Sequence, residues 1–337
     1  MMGHRSPTHT DAHGTSDADT ASAPAPSPST PDPTPDTTPG ATPTPALTGL
    51  LLVALAALLW STAGIASRVL FDLSDIDPLT VGAWRLVLAA PLVGLLALRR
   101  PGAPLDRRDL GALLVLGLTQ AGYQGLYFGA VARVGVALAT LLALCAAPVL
   151  VALLARLVLG ERLGPRTLAA VVLAVAGAVL LVGFPGPLEA DGATVVLGLA
   201  MAGGSALSYA VFTLASRRLA PRHHPFRLVA LGFGAGAVVL AAVTVAVNGG
   251  LALPTSAPAW GLVLYMGVVP TALAYVVFLW GMRRASATGS AVVVLLEPLS
   301  ATLLAWMLFG ERLGPLGAAG GALLLSAVLV LALRRRR

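Results

Sequence analysis

Gly160-Glu161-Arg162-Leu163-Gly164-Pro165 recurs unchanged as Gly310-Glu311-Arg312-Leu313-Gly314-Pro315. Working outward at the same offset, Pro148 matches Pro298, and Leu153, Leu154 and Ala155 match Leu303, Leu304 and Ala305. From Pro148 to Pro165, ten of 18 positions are identical. A Leu/Ala bias explains some of these matches, but not an intact run containing Gly, Glu, Arg and Pro. Farther back, Phe128 and Arg133 match Phe278 and Arg283, and one residue off that register Ala66-Ser67-Arg68 matches Ala215-Ser216-Arg217. The chain therefore holds two copies of one unit.

The residues around these matches are apolar. The 337-residue chain is 57% hydrophobic and 11% charged, against about 25% charged in an ordinary soluble domain. The apolar residues form ten runs, over 47–69, 79–98, 110–131, 136–159, 165–183, 194–216, 227–247, 258–280, 286–309 and 313–333. About 20 such residues span the hydrocarbon core of a bilayer as a helix. The expected fold is an all-α polytopic membrane protein with ten transmembrane helices, five in each copy. Five crossings are odd, so the second copy enters from the opposite side. The first repeat (47–183) and the second (194–333) are then related by inverted topology, an arrangement concentrated in secondary transporters; duplication for stability alone is the plainer alternative. Residues 1–46 differ: they contain ten prolines and no apolar run. Such a segment cannot bury enough surface to offset its ordering entropy. A disordered cytoplasmic tail is expected, not a secretory signal; a misplaced start codon would also account for it.

Charge sets the expected orientation. All 22 basic residues are arginine. With the N-terminus inside, sixteen fall on the inner side: 99, 100, 107, 108, 162, 166, 217, 218, 222, 227, 283, 284 and 334–337. Only Arg68, Arg133 and Arg312 fall outside. The positive-inside rule then places both termini in the cytoplasm, in an inner or plasma membrane. Arginines dispersed over short loops also argue against nucleic-acid binding despite the net charge of +7. Cys145 is the single cysteine, which excludes an intrachain disulfide, and its place in an apolar run suggests packing. The five histidines lie in the tail and one loop, where solvation is expected, and no spacing suggests a metal site.

An apolar helix with a central proline and a terminal Gly-Glu, found twice, resembles the EamA-type members of the drug/metabolite transporter superfamily. Leu296-Glu297-Pro298, Ala305 and Gly310-Glu311 are similar to that family's second-repeat pattern. The resemblance covers 47–333. It implies ten helices, a central cavity between repeats, no cofactor, and export of amino acids, other metabolites or drugs.

Several residues suggest where such chemistry would lie. Glu297 is the only acid deep in an apolar run. An ionised residue there costs about 3 kcal/mol even on lenient scales, so it must face a cavity, find a partner or hold a proton. Binding of a substrate amine or proton coupling follows, with a structural acid beside the proline as the alternative. Its counterpart in the first repeat is Ala147. Arg85 is the second deep charge; snorkelling to the outer surface competes with pairing to Glu297 or to a substrate carboxylate. Gln120, Tyr123, Gln124 and Tyr127 lie at i, i+3, i+4, i+7 on one helix face. Ser205, Ser208 and Tyr209 form a comparable stripe, as do Thr271 and Tyr275, and Trp60 aligns with Tyr209 between the repeats. These faces suggest a wet, substrate-binding cavity; interhelical hydrogen bonds alone would also explain them. Pro148 and Pro298 are candidate hinges or static kinks. Trp84, Trp260 and Trp306 read as interfacial anchors. Gly125/Gly129, Gly232/Gly236 and Gly317/Gly321 have GxxxG spacing, which favours close helix packing in a monomer or homodimer. With no nucleophile–base pair, phosphate loop or metal cluster, the expected function is a gradient-driven carrier of a small molecule across the lipid bilayer, not an enzyme. The leading expectation is export by alternating access, coupled to protons. A flippase for a lipid-linked metabolite and a non-transporting membrane sensor or interaction protein are the alternatives.

Overall fold

The computed structural model describes residues 45–99, 105–183, 191–310 and 314–333. Nearly all of the expected tail lies outside the described residues, as do Arg100, Glu189, positions 311–313 and Arg334 to Arg337. The described residues form ten helices: α1 (Pro45–Leu73), α2 (Pro78–Leu98), α3 (107–134), α4 (Leu138–Leu159), α5 (Pro165–Val182), α6 (Gly192–Leu219), α7 (Pro225–Asn248), α8 (Ala257–Met282), α9 (Ala287–Phe309) and α10 (Pro315–Ala332). Nine are long and apolar enough to cross a membrane. The segment 107–134 is the exception, and it carries the Gln120, Tyr123, Gln124, Tyr127 stripe whose amides and phenols lower its hydropathy.

Local chemistry places the boundaries. Proline, which lacks the N–H that a first turn leaves unused, opens α2, α5, α7, α8 and α10. Asp77, Asp191, Ser256 and Ser286 cap α2, α6, α8 and α9. Asp106 and Asp109 form a reciprocal capping box on α3. Between α3 and α4 only Gly135 leaves the helical region, at φ 76°, where a side chain would be strained. The repeated six-residue motif is a stop-and-start unit. Gly160 takes the left-handed conformation (φ 67°) that ends α4, and Gly164 with Pro165 opens α5.

Packing follows the repeat. Helix α2 packs on α7, α5 on α10, α1 on α8 and α9, and α6 on α3 and α4. Exchanging each helix with its counterpart five places along returns the same pairs, as two repeats of opposite topology require. Close approaches obey the same exchange. A Cβ on Gly49 would stand 2.7 Å from Ala285 N and 3.0 Å from Arg284 Cβ. Its counterpart Gly198 meets Arg133 Cβ at 3.1 Å and the side chain of Val134. The GxxxG glycines 232 and 236 seat α7 against Leu116 and Gly117 of α3. The outer faces remain apolar: Leu95, Val238, Val247 and Met307 are 65–72% exposed, far more greasy surface than a soluble monomer shows. The most enclosed helix is α8, with 67% of its most apolar stretch buried against 28–44% elsewhere.

One expectation is corrected. His223 is buried, not solvated: its Nε2 lies 3.1 Å from Asp109 Oδ1, with Arg222 NH1 3.5 Å from the same oxygen. The turn between α6 and α7 is thereby fastened to the start of α3.

Candidate functional site

A cavity of about 610 Å³ lies between the repeats. It reaches from mid-helix positions to the end of the bundle that holds the end of α1 and the start of α2, where Ser67, Phe71 and Pro78 line it. At the other end it is closed. Residues Ala287 to Val294 of α9 are all buried, as are Ala274 to Leu279 of α8.

The cavity gathers most of the residues that the sequence suggests for binding, coupling or hinge roles, while Ser205, Ser208 and Thr271 do not line it. From α1 comes Trp60, from α2 Arg85, from α3 Gln120, Gln124 and Tyr127, from α4 Pro148, from α6 Tyr209, from α8 Tyr275, and from α9 Glu297 and Pro298. Arg85, which lines the cavity, does not follow the snorkelling alternative: its Nε donates to Thr271 Oγ1 at 3.0 Å. Glu297 shares that cavity without a direct ion pair to Arg85 among the described residues. A carboxylate and a guanidinium thus face one space, each with capacity left over.

Around them polar and aromatic groups are fixed by one another. Gln120 Nε2 donates to Tyr275 OH at 2.9 Å. Tyr127 OH and Thr140 Oγ1 are 2.6 Å apart and join α3 to α4. The Trp60 ring lies 4.8 Å from Tyr275 and 5.4 Å from Phe278, an aromatic wall that Phe212 and Phe233 back. Three polar atoms in the wall, Trp60 Nε1, Gln124 Oε1 and Tyr209 OH, have no hydrogen-bond partner among the described residues. A buried polar group left unpaired costs about 1–3 kcal/mol, a cost that these three carry beside the cavity. The Ser205 stripe divides: Ser205 Oγ donates to Tyr123 O at 2.9 Å, an interhelical tie, while Tyr209 faces the cavity.

The backbone around the cavity is irregular where proline interrupts it. Pro298 has no N–H for the carbonyl four residues back, and the helix breaks just before it. Leu295 has ψ −2°, and its N–H bonds to Val292 O at 3.2 Å. Pro148, its counterpart, lies in an unbroken helix. A third proline, Pro270, was not singled out. It sits in a π-helical turn, Val268–Leu273, of the kind common at functional sites. Within that turn Thr271 Oγ1 donates to Met266 O at 2.7 Å and accepts from Arg85. Sequence reading also missed Thr140, because its partner Tyr127 lies on another helix. Among the described residues no group of His, Cys, Asp and Glu could hold a metal ion.

Similarity to known proteins bears on what this cavity does. The family model for EamA-like transporters matches residues 47–183 and again 196–333. The chain is 29% identical to an uncharacterized transporter of Bacillus subtilis, YwfM, over 85% of this chain and 94% of that protein. It is 31% identical to a probable terminal-alkyne amino-acid exporter of Streptantibioticus cattleyicolor, again over 85% and 94%. It is 31% identical to the pseudopaline exporter CntI of Pseudomonas aeruginosa, over 70% and 80%. A solved crystal structure superposes with a TM-score of 0.73 at 25% identity, covering 85% of this chain and 98% of that one.

Proposed function

The chain belongs to the EamA-like transporter family, and from that premise we propose that it exports an amino-acid-like metabolite by alternating access, coupled to protons at Glu297. One observation carries the reading. Glu297 and Arg85 face a single cavity at the interface of two inverted repeats, with no direct ion pair between them. A zwitterion satisfies both: its ammonium meets the carboxylate, and its carboxylate meets the guanidinium fork that Thr271 steadies. The aromatic wall at Trp60 supplies apolar contact for a side chain and a π-face for a cation. The amino-acid exporter and pseudopaline exporter among the relatives support both the direction and the class. In the reading with both termini cytoplasmic, in the inner or plasma membrane, the cavity opens outward. The bilayer is its solvent and a small molecule its cargo. The GxxxG glycines of α7 are used inside the chain, which supports a monomer as the transport unit. A lipid-linked cargo is less well supported, since it needs a lateral opening between helices, whereas α1 packs on α9 with Arg68 over the Phe309 ring at 4.2 Å.

Uptake into proteoliposomes, with a panel of amino acids and cationic drugs and with or without a proton gradient, tests the reading. Accumulation of an amino acid driven by the gradient is expected. Accumulation that ignores the gradient removes proton coupling, and none at all leaves the sensor or interaction reading.

A further inference from the structure

The closed end of the cavity is held by a contact that the binding residues do not use. Glu161 Oε1 accepts from Ala287 N at 2.7 Å. Its Oε2 accepts from Thr288 N at 3.3 Å and from Thr288 Oγ1 at 3.0 Å. Ser286 Oγ takes the next N–H, that of Gly289, at 3.0 Å. The first N–H groups of a helix have no partner within it. Those of α9 are therefore met partly by its own cap and partly by a carboxylate from the other repeat. A negative charge at this site is also favoured by the helix dipole.

The motif delivers Glu161 there. Gly160 turns the chain through the left-handed region, and the N–H groups of both Gly160 and Glu161 return to Ala155 O. The residue after that turn is thus fixed on the rigid end of α4. The partner segment is a unit of its own. Helix α9 is broken at Leu295, which separates residues 287–294, the plug of the closed end, from the half that carries Glu297. The plug is dry: Thr288 is 1% exposed and Ser290 is 0%, with Ser290 Oγ lacking a hydrogen-bond partner among the described residues.

We propose that Glu161 is the latch of this closed end, a positioning residue that holds the first half of α9 over the cavity floor and lets go when that end opens. The inference rests on the alternating-access reading. On release, the carboxylate and the two N–H groups pass to water, which can bond each of them, so the latch biases the equilibrium without locking it.

The test uses the full chain in proteoliposomes, in a Cys145→Ala background. Ser290→Cys reports the plug, and Ser67→Cys reports the open end of the cavity. Each is labelled with a membrane-impermeant maleimide from its own side. Glu161→Gln keeps the shape and removes the charge, and charged hydrogen bonds of this kind correspond to about a 10- to 100-fold change in an equilibrium. Labelling of Ser290→Cys is expected to rise about tenfold or more in Glu161→Gln, while labelling of Ser67→Cys stays level or falls. Glu161→Asp, one methylene short, should lie between. An unchanged rate at Ser290→Cys overturns the latch. A rise at both positions also overturns it, because that is the signature of a loosened fold. Amino-acid counterflow on the same vesicles separates the two ideas. A parent chain that transports while Glu161→Gln leaves Ser290→Cys unlabelled sinks the latch alone. One that neither transports nor labels at Ser290→Cys in any variant sinks alternating access with it.

Discussion

At the residue scale the proposed export mechanism turns on the asymmetry between Glu297 and Ala147. Both occupy the residue before the matched proline, yet only one bears a charge. Replacing Glu297 with Gln removes that charge and keeps the volume. A substrate ammonium then loses a charge-assisted hydrogen bond of about 1.5–3 kcal/mol, about a 10- to 150-fold loss in apparent affinity. Transport should also stop responding to an imposed pH difference; a Glu297→Gln chain that keeps that response removes the coupling role. Arg85→Gln makes the complementary case. Amino acids should weaken by about tenfold or more, whereas the corresponding amines, which lack the carboxylate, should bind as before. Equal losses for both would mean that Arg85 only packs against Thr271. Glu297 was legible because a lone acid in an apolar run stands out against its cost. The pairs Arg85–Thr271 and Gln120–Tyr275 were not, since each joins residues far apart in sequence and neither hydropathy nor periodicity encodes a partner.

Hydropathy located all ten helices to within a few residues, because bilayer thickness fixes their length. It was blind to how each helix is broken. Pro148 and Pro298 match in sequence, but only the Pro298 helix breaks, and Pro270 in its apolar run signals an interruption without disclosing that it takes the form of a π-turn. Small residues at helix crossings are more predictable. A Cβ on Gly177 would stand 2.8 Å from Gly320 O and 2.9 Å from Leu324 N, both backbone atoms that cannot step aside. Gly177→Ala should therefore part α5 from α10 and cost about 1–3 kcal/mol, seen as a lower melting temperature in detergent; an unchanged one would mean that the crossing is loose. The start of α3 carries the element's other testable feature. The His223 ring, whose Nε2 lies 3.1 Å from Asp109 Oδ1, holds the Asp109 carboxyl below the usual carboxylate value of 3.8. A depressed carboxyl contributes stability that is present above its unfolded value and lost as pH falls through its folded one. The contribution of this pair should thus be intact at neutral pH and disappear below 3.8. Asp109→Asn should melt lower than the parent at neutral pH, with the gap closing in that acid range. A gap that persists there assigns the loss to the capping box instead.

For the whole molecule, the duplicated motif disclosed the architecture because two inverted copies must pack as mates, and α2 on α7 with α5 on α10 is that packing. Which end is open could not be read in the same way. Both ends are built from equivalent residues, so a single sequence encodes two closures and only the packing of one state distinguishes them. Sixteen arginines fall on one side and three on the other, a bias that insertion follows when it is counted over short loops. The same assignment puts the turn at Pro221 and Arg222 in the cytoplasm and the turn at Ser74 and Asp75 outside. On that proposed assignment the cavity, lined at its mouth by Ser67 and Pro78, is expected to face outward. Single cysteines at Ser74 and Arg222, in whole cells of a Cys145→Ala background, should separate the sides: an impermeant thiol reagent added outside reaches Ser74→Cys at once and Arg222→Cys only after lysis. Added to the same cells, it should reach Ser67→Cys within the cavity and be slowed there by a transported amino acid. The reverse pattern at the two turns would invert the protein in its membrane, and the cavity would then face the cytoplasm as the entry for an exported solute.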